Sequence, residues 1–332
     1  MLSKYSSYIL CFLISILVVS LYVNDFSPLK RLQWQVQDIM YSFRGEKNLS
    51  SDIVLINIDD QTLRQYGQWP WDRDKIADLM AAIGSGSPKT VVLDIALEQD
   101  TQQDTLGFTK VLAGQMSWMK NVIIPYEITP AAFRNQKISN PKYLKQYSIS
   151  VDNGLGVLDE NATRLARKVF LPPDQICKYS SGLGFKYVIR DSDREIRWSP
   201  LVVHYEGYYY PSASLMAASH HLGIDPSAII VNGGHSIILG GIEIPTNKRG
   251  ELFINYNKHG ESFRQYSAAD ILNEVIDPSI LTGKLAIVSV SSKIIAEYYS
   301  TPVSSSMGGN EVQANIIENI MHTNFITRID AT

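Results

Sequence analysis

The sequence predicts an α/β protein: a mixed sheet with an N-terminal parallel β-α-β core, an antiparallel middle section and an N-terminal membrane helix. Three observations predict it. Residues 8 to 23, "YILCFLISILVVSLYV", form an uncharged apolar run of 16 residues. From residue 52, two β-branched apolar runs flank an amphipathic helical pattern. Between residues 182 and 256, short apolar runs alternate with Gly and Asn turn signals.

The first run falls short of the roughly 20 residues that span a bilayer comfortably, but it can extend through Phe26 or by snorkelling flanks. Lys4 precedes it as in a secretory signal, yet it ends in "SLYVNDF" without the small residues of a cleavage site, so an uncleaved anchor is expected. Lys4 competes with Lys30-Arg31 for the cytoplasmic side, so charge alone does not set the orientation. Next, Leu29, Leu32, Val36, Ile39 and Phe43 are spaced 3, 4, 3, 4 on one stripe, either a seam between two helices or a face packed on its own domain. Gly45 is placed to end this helix.

"DIVLINID" reads as a buried strand, and Asp72 is placed to cap a helix with Ile76, Leu79, Met80 and Ile83 on its apolar face. "SGSP" breaks that helix, and "TVVLDIAL" is a second strand, giving a right-handed parallel unit. A helix through Phe108, Val111 and Leu112 leads to a third strand, "NVIIPYEI". Residues 129 to 178, with Pro130, Pro141, Pro172 and Pro173, read as an irregular insertion with a helix at "ENATRLARKVF". The antiparallel runs follow, interrupted by the helix "SASLMAASHHLG", which Gly223 ends. The last block returns to α/β: a short helix "SAADILNEV", a strand "KLAIVSV" and an amphipathic helix "NEVQANIIENIMHT".

With 332 residues, 19% of them charged, the chain can bury a core in one large or two medium domains. A net charge of -3 without a Lys/Arg run argues against nucleic acid as a partner. The two cysteines, Cys11 in the apolar run and Cys177 in polar sequence, are not expected to bridge.

These blocks resemble the second type of CHASE domain, a sensory family attached to bacterial cyclases and kinases. The likeness is carried by "DIVLINIDDQTLRQYGQWPWDRDKIADLM", "TVVLDIALEQD", "DSDREIRWSPL" with "YPSASLMAA", "GELFINY", "QYSAADIL", "TGKLAIVSV" and "TPVSSSMGGNEVQANIIENIM", over roughly residues 30 to 322. It implies a membrane helix, a sensor outside the bacterial cytoplasmic membrane, and further helices leading to a cytoplasmic output. No such helices are encoded before Thr332, so a sensor fragment and a stand-alone version both stay open. Departures from the family pattern are Arg194 after Asp193 where a glycine is usual, Ser289 for a glycine, Gly308-Gly309 for Pro-Gly, and Gln313 for a histidine.

No H-E-x-x-H, Walker loop, G-x-S-x-G or G-x-G-x-x-G occurs, so no catalytic residue, metal site or cofactor is assigned. His220-His221 lacks companions at zinc spacing. Acids do gather at strand ends, where open α/β sheets bind ligands: Asp59 and Asp60 after the first strand, Asp94 within the second and Glu98 just beyond it. Neighbouring strands would bring Asp59 and Asp94 together, in reach of a metal for hydrolysis. The competing reading makes Asp60 an N-cap and pairs Arg73, a cation in a first helical turn, with Asp59 or Asp94. Candidate ligand contacts are therefore Asp59, Trp69, Trp71, Arg73 and Asp94, and the structural turn residues are Gly67, Pro70, Asp193 and Arg197. Trp69 and Trp71 read either as a clasp over a helix-strand junction or as a binding platform.

The expected organisation is a membrane anchor over 1–28, a juxtamembrane helix over 29–45, a sensor domain over 46–325 and a tail over 326–332. The expected function is transmembrane signalling by a homodimer that meets a small-molecule or protein stimulus. The alternatives are a membrane-tethered hydrolase using Asp59 and Asp94, and an envelope protein-binding module.

Overall fold

The chain divides into two units, residues 1–47 and 48–332. The computed structural model describes residues 6–23, 34, 36, 41, 50–97, 106–129, 141–152, 166–232, 235–257 and 263–326. In the first unit, α1 (Ser6–Val23) leaves apolar side chains from Tyr8 to Val19 at least half exposed on every face. Its 18 residues rise about 27 Å, against a hydrocarbon core of about 30 Å. Among the described residues, no helix is long and apolar enough to cross a membrane. Of the expected helix over 29–45, only Trp34, Val36 and Tyr41 are described, each helical; Gly45 lies outside the described residues.

The second unit opens in the expected order with β1 (Ile53–Ile58), α2 (Asp60–Tyr66), α3 (Arg73–Ser85), β2 (Thr90–Asp94), α4 (Phe108–Met119) and β3 (Val122–Thr129). Then come α5 (Pro141–Lys145), β4 (Ser150–Asp152), β5 (Lys168–Phe170), α6 (Asp174–Tyr179) and β6 (Gly182–Lys186). The helix expected at "ENATRLARKVF" lies partly outside the described residues, and its end is the strand β5.

The middle section contains β7 (Trp198–Pro200), β8 (Val202–Tyr205), β9 (Tyr208–Pro211), α7 (Ala213–Leu222), β10 (Ile229–Asn232), β11 (Ser236–Leu239), β12 (Ile242–Pro245) and β13 (Glu251–Phe253). Its pairings are mostly antiparallel, β10 with β11, β11 with β12, β8 with β9 and β7 with β13, while β4 joins β10 in parallel. α7 starts on the Ser212 hydroxyl, which accepts from the Leu215 N–H, and stops at Gly223 at φ 73°, a left-handed turn that costs glycine nothing sterically. The chain closes with β14 (Arg264–Ser267), α8 (Ala268–Leu272), β15 (Leu285–Val290), β16 (Tyr298–Thr301), β17 (Ser304–Gly308) and α9 (Gly309–Met321).

The main sheet has seven strands in the order β14-β1-β15-β2-β3-β5, with β6 also on β3. All its pairs are parallel except β3 with β5. The C-terminal strand β15 therefore separates β1 from β2, which corrects the expectation that those two are neighbours. Ile53 to Ile58 are buried without exception, because helices cover both faces. Val54, Ile56 and Ile58 join one core with Ile76, Leu79, Met80 and Ile83 of α3 and Leu112 and Met116 of α4. The opposite face is covered by α7 and α9.

The amphipathic reading of α9 is corrected too. Asn310, Gln313, Asn315, Glu318 and Asn319 are all buried with the apolar residues around them. Their polarity is used inside the fold: Asn319 accepts from the Asn255 N–H at 2.7 Å and donates to the Asn255 carbonyl at 3.0 Å, while Asn315 accepts from the Asn257 N–H at 2.9 Å. Residues 254–257 lie in no strand, and two asparagines four apart on one helix face supply partners that a neighbouring strand would otherwise give.

Candidate functional site

The parallel strands β1, β2, β6 and β15 direct their carboxyl ends to the same edge of the sheet, the place where open α/β sheets gather ligand-binding groups. Asp59 follows β1 and caps α2: its Oδ1 accepts from the Thr62 N–H at 2.8 Å, the Thr62 hydroxyl at 2.8 Å and the Ser267 hydroxyl at 2.9 Å. The capping role expected of Asp60 thus belongs to Asp59, and Asp60 is the first residue of the helix. Thr62 in turn accepts from the Ala269 N–H, which ties α2 to α8.

α2 ends at Gly67, whose φ of 100° suits glycine. The Trp69-Pro70 bond is cis. Trp71 is buried, and its indole N–H donates to the Gly67 carbonyl at 2.8 Å. Its ring lies 6.2 Å from those of both Tyr66 and Trp69, an aromatic cluster packed on the core, with Trp69 only partly covered. Asp72 stands at the N-cap of α3, as expected, but its side chain makes no cap bond.

Arg73 does not meet Asp59 or Asp94. Its Nη1 donates to the Thr109 hydroxyl at the start of α4, the helix packed beside α3. Asp94 is held instead by Lys186 at the end of β6, with 2.8 Å from Nζ to each carboxylate oxygen. The Asp94 side chain is only 6% exposed and that of Lys186 33%. Burial alone lowers the Lys186 pKa, but Asp94, followed by Glu297 and Glu127, outweighs it and leaves the ammonium above its ordinary value. Asp59 and Asp94 also stand two strands apart, about 10 Å at ordinary strand spacing. Each is engaged by other groups, so the expected metal-holding pair does not form, and among the described residues no cluster of metal ligands occurs.

Lys186→Met should cost about 1–2 kcal/mol, because Asp94 stays behind without its cation in a site that is partly open to solvent. A double-mutant cycle with Asp94→Asn measures the pair. Additive losses in denaturant melts would show that the two side chains are not coupled.

Next to this pair lies a cavity of about 40 Å³ whose lining includes Phe185, Lys186, Ser214, Tyr299, Val312 and Gln313. The Tyr299 hydroxyl donates to the Glu297 carboxylate, and the Arg190 guanidinium sits 5.3 Å from the Tyr299 ring centre. Burial, then Glu297, raises the Tyr299 pKa. Gln313 is 6% exposed, and its Oε1 has no partner among the described residues; nor has the Ser289 hydroxyl, on the residue of β15 paired with Asp94.

A second charged cluster surrounds Arg197, whose side chain is fully buried. It meets Asp191 at 3.1 Å, Asp193 at 2.9 Å and Glu195 at 2.7 Å. Arg194 takes φ 72°, so the turn keeps a left-handed residue although a glycine is missing there. Burial raises the Asp191 pKa despite Arg197, whereas in Asp193 burial, the largest single influence, is outweighed by the Arg197 hydrogen bond, the Glu195 backbone N–H and the Arg197 charge together, which lower it.

The family model of the CHASE2 domain matches residues 11–332, nearly the whole chain. The chain belongs to the CHASE2 family. CHASE2 domains are extracellular sensory domains rather than catalytic ones, which agrees with the sensory reading. No curated protein and no solved structure matches this CHASE2 chain. Sequence reasoning missed Lys186 as the partner of Asp94. The signal was present, since "GLGFK" ends a buried strand on an isolated cation that needs a counter-charge.

Proposed function

We propose that this CHASE2 chain is the sensor of a membrane-anchored signalling protein, receiving a stimulus outside the bacterial cytoplasmic membrane and driving a cytoplasmic nucleotide cyclase, diguanylate cyclase or kinase. The observation that carries the reading is the family match across residues 11–332. The apolar surface of α1 on every face supports an anchor within 1–28, because such a helix needs a nonpolar surrounding. The juxtamembrane helix over 29–45 then leads to the sensor over 46–325.

α9 supports a route for the signal. Its first turns border the cavity through Gly309, Val312 and Gln313. Near its other end, the Glu318 carboxylate accepts from the Ser50 N–H at 3.2 Å, and His322, just past the helix, lies 3.6 Å from Asp52, where the chain enters β1. A stimulus that binds one position of α9 better than another would bias that entry segment in proportion to the difference in affinity. The output is carried by a homodimer through the 3,4-spaced stripe from Leu29 to Phe43.

A reporter enzyme active only outside the cytoplasm, fused after Thr332, should be active; activity solely from a cytoplasm-dependent reporter at that position would overturn the topology. Single cysteines along Leu29 to Phe43 should crosslink with 3,4 periodicity in membranes. Uniform absence of crosslinks would overturn the dimer.

A further inference from the structure

We propose that the cavity between β6 and the start of α9 binds a small uncharged molecule that presents a hydrogen-bond donor and acceptor side by side, of the primary-amide class. As the identity of the stimulus this rests on the sensory reading; as a binding site it stands on the cavity itself. Gln313 carries the argument. It is buried to 6% exposure, lines the cavity, and its carboxamide makes no hydrogen bond among the described residues, leaving Oε1 without a donor. Leaving a buried amide unsatisfied is costly, so such a group in a cavity marks a place for a polar occupant. Lys186 adds a donor: an ammonium has three N–H groups, and the bonds it makes to described residues go to the two oxygens of Asp94.

Charge selects the class. Lys186 is balanced by Asp94, and Glu297 and Glu127 act on the same ammonium. An incoming anion would face these carboxylates, and an incoming cation would face Lys186. An uncharged ligand meets neither penalty. A carboxamide offers an acceptor to Lys186 and the Gln313 N–H, and a donor to Gln313 Oε1, while Val312, Ile316, Ala213 and Phe185 supply apolar wall for a short alkyl group. A volume of about 40 Å³ restricts the occupant to a few heavy atoms, and water is the competing occupant.

The test uses the full chain in detergent micelles with labelled Ile and Val methyl groups, since Val312 and Ile316 border the cavity. Acetamide, acetate and ethylammonium are titrated separately. Acetamide should shift the Val312 and Ile316 methyl signals saturably in the millimolar range, with acetate and ethylammonium binding at least tenfold more weakly. Gln313→Leu, which removes an already unpartnered polar group and so should keep the fold, should weaken acetamide at least tenfold. Should that variant fail to fold, the comparison of the three probes on the unaltered chain still decides. No saturable shift with acetamide would mean ordered water only and would overturn the proposal, as would equal binding of acetate or unchanged binding to folded Gln313→Leu. Any of these failures leaves the fusion and crosslinking results, and hence the sensory reading, where they stand.

Discussion

Arg197→Met is expected to lower the stability of the sensor domain by about 3–5 kcal/mol, the usual cost of removing one partner from a buried ionic cluster. The guanidinium is fully buried and is the cation that meets Asp191, Asp193 and Glu195. Its removal leaves three carboxylates crowded together, two of them still 25–30% exposed, so the lower half of the range is the better guide. For a domain of this size that corresponds to roughly 5–7 °C in the melting temperature. The pH dependence separates charge from packing. In the variant, protonating the stranded carboxylates removes their repulsion, so the deficit should shrink as pH falls through the carboxylate range. In the native protein the two aspartates have opposite signs. Asp193, with a lowered pKa, contributes stability above 3.8 that is lost on acidification; Asp191, with a raised pKa, contributes stability below 3.8 that is lost as pH rises through its folded value. A deficit that stays constant from neutral pH to pH 3 would mean that Arg197 stabilises by filling space rather than by its charge.

The second large effect is acid sensitivity through His221. This residue is 8% exposed at the end of α7, with a buried Nδ1 that has no partner among the described residues. Burial, then Lys89, lowers its pKa from 6.5 to about 4; His220 and His322 add to the lowering and Asp52 opposes it. The folded protein therefore holds His221 neutral while the unfolded chain protonates it. Stability from this group is fully present above pH 6.5 and is lost as pH falls towards 4. A shift of that size corresponds to about 3 kcal/mol. Chemical denaturation between pH 7.5 and 4 should follow this slope, and His221→Leu should flatten it with little change at pH 7.5. An unchanged slope in the variant would assign the acid sensitivity to other groups. These residues lie beside the entry to β1, so acid would act on the segment that joins the sensor to the residues before it.

The parts of the fold legible in sequence were those governed by local periodicity and local chemistry. "DIVLINID", "TVVLDIAL" and "KLAIVSV" are β-branched runs that only a sheet covered on both faces can bury, and all three are strands of it. Ser212 and Gly223 delimited α7 because capping depends on the residues at the helix ends themselves. "GQWPWDR" was legible as a turn of Gly67 and Pro70 with Trp71 on the core, since a large ring next to a turn gains most by burial. What failed were pairings between distant residues. Arg73, a cation in a first helical turn, points to Asp59 or Asp94 as its anion, but the sheet order sets Lys186 against Asp94 and Arg73 bonds Thr109. Asp59 and Asp94 were placed side by side because consecutive parallel strands usually pair, whereas a strand almost 200 residues later lies between them.

The sequence by itself determined an α/β chain with an apolar N-terminal helix, its family, and which residues carry charge in need of a partner, because composition, periodicity and capping are properties of neighbouring residues. Only the tertiary structure decided the partners. The insertion of β15 between β1 and β2, the hold of Lys186 on Asp94, the three acids around Arg197, and the asparagines of α9 that bond residues 255 and 257 all join segments far apart in the chain. A buried charge or amide demands a partner whatever the fold, but which partner it finds depends on strand order and helix placement, and those follow from packing the whole core at once.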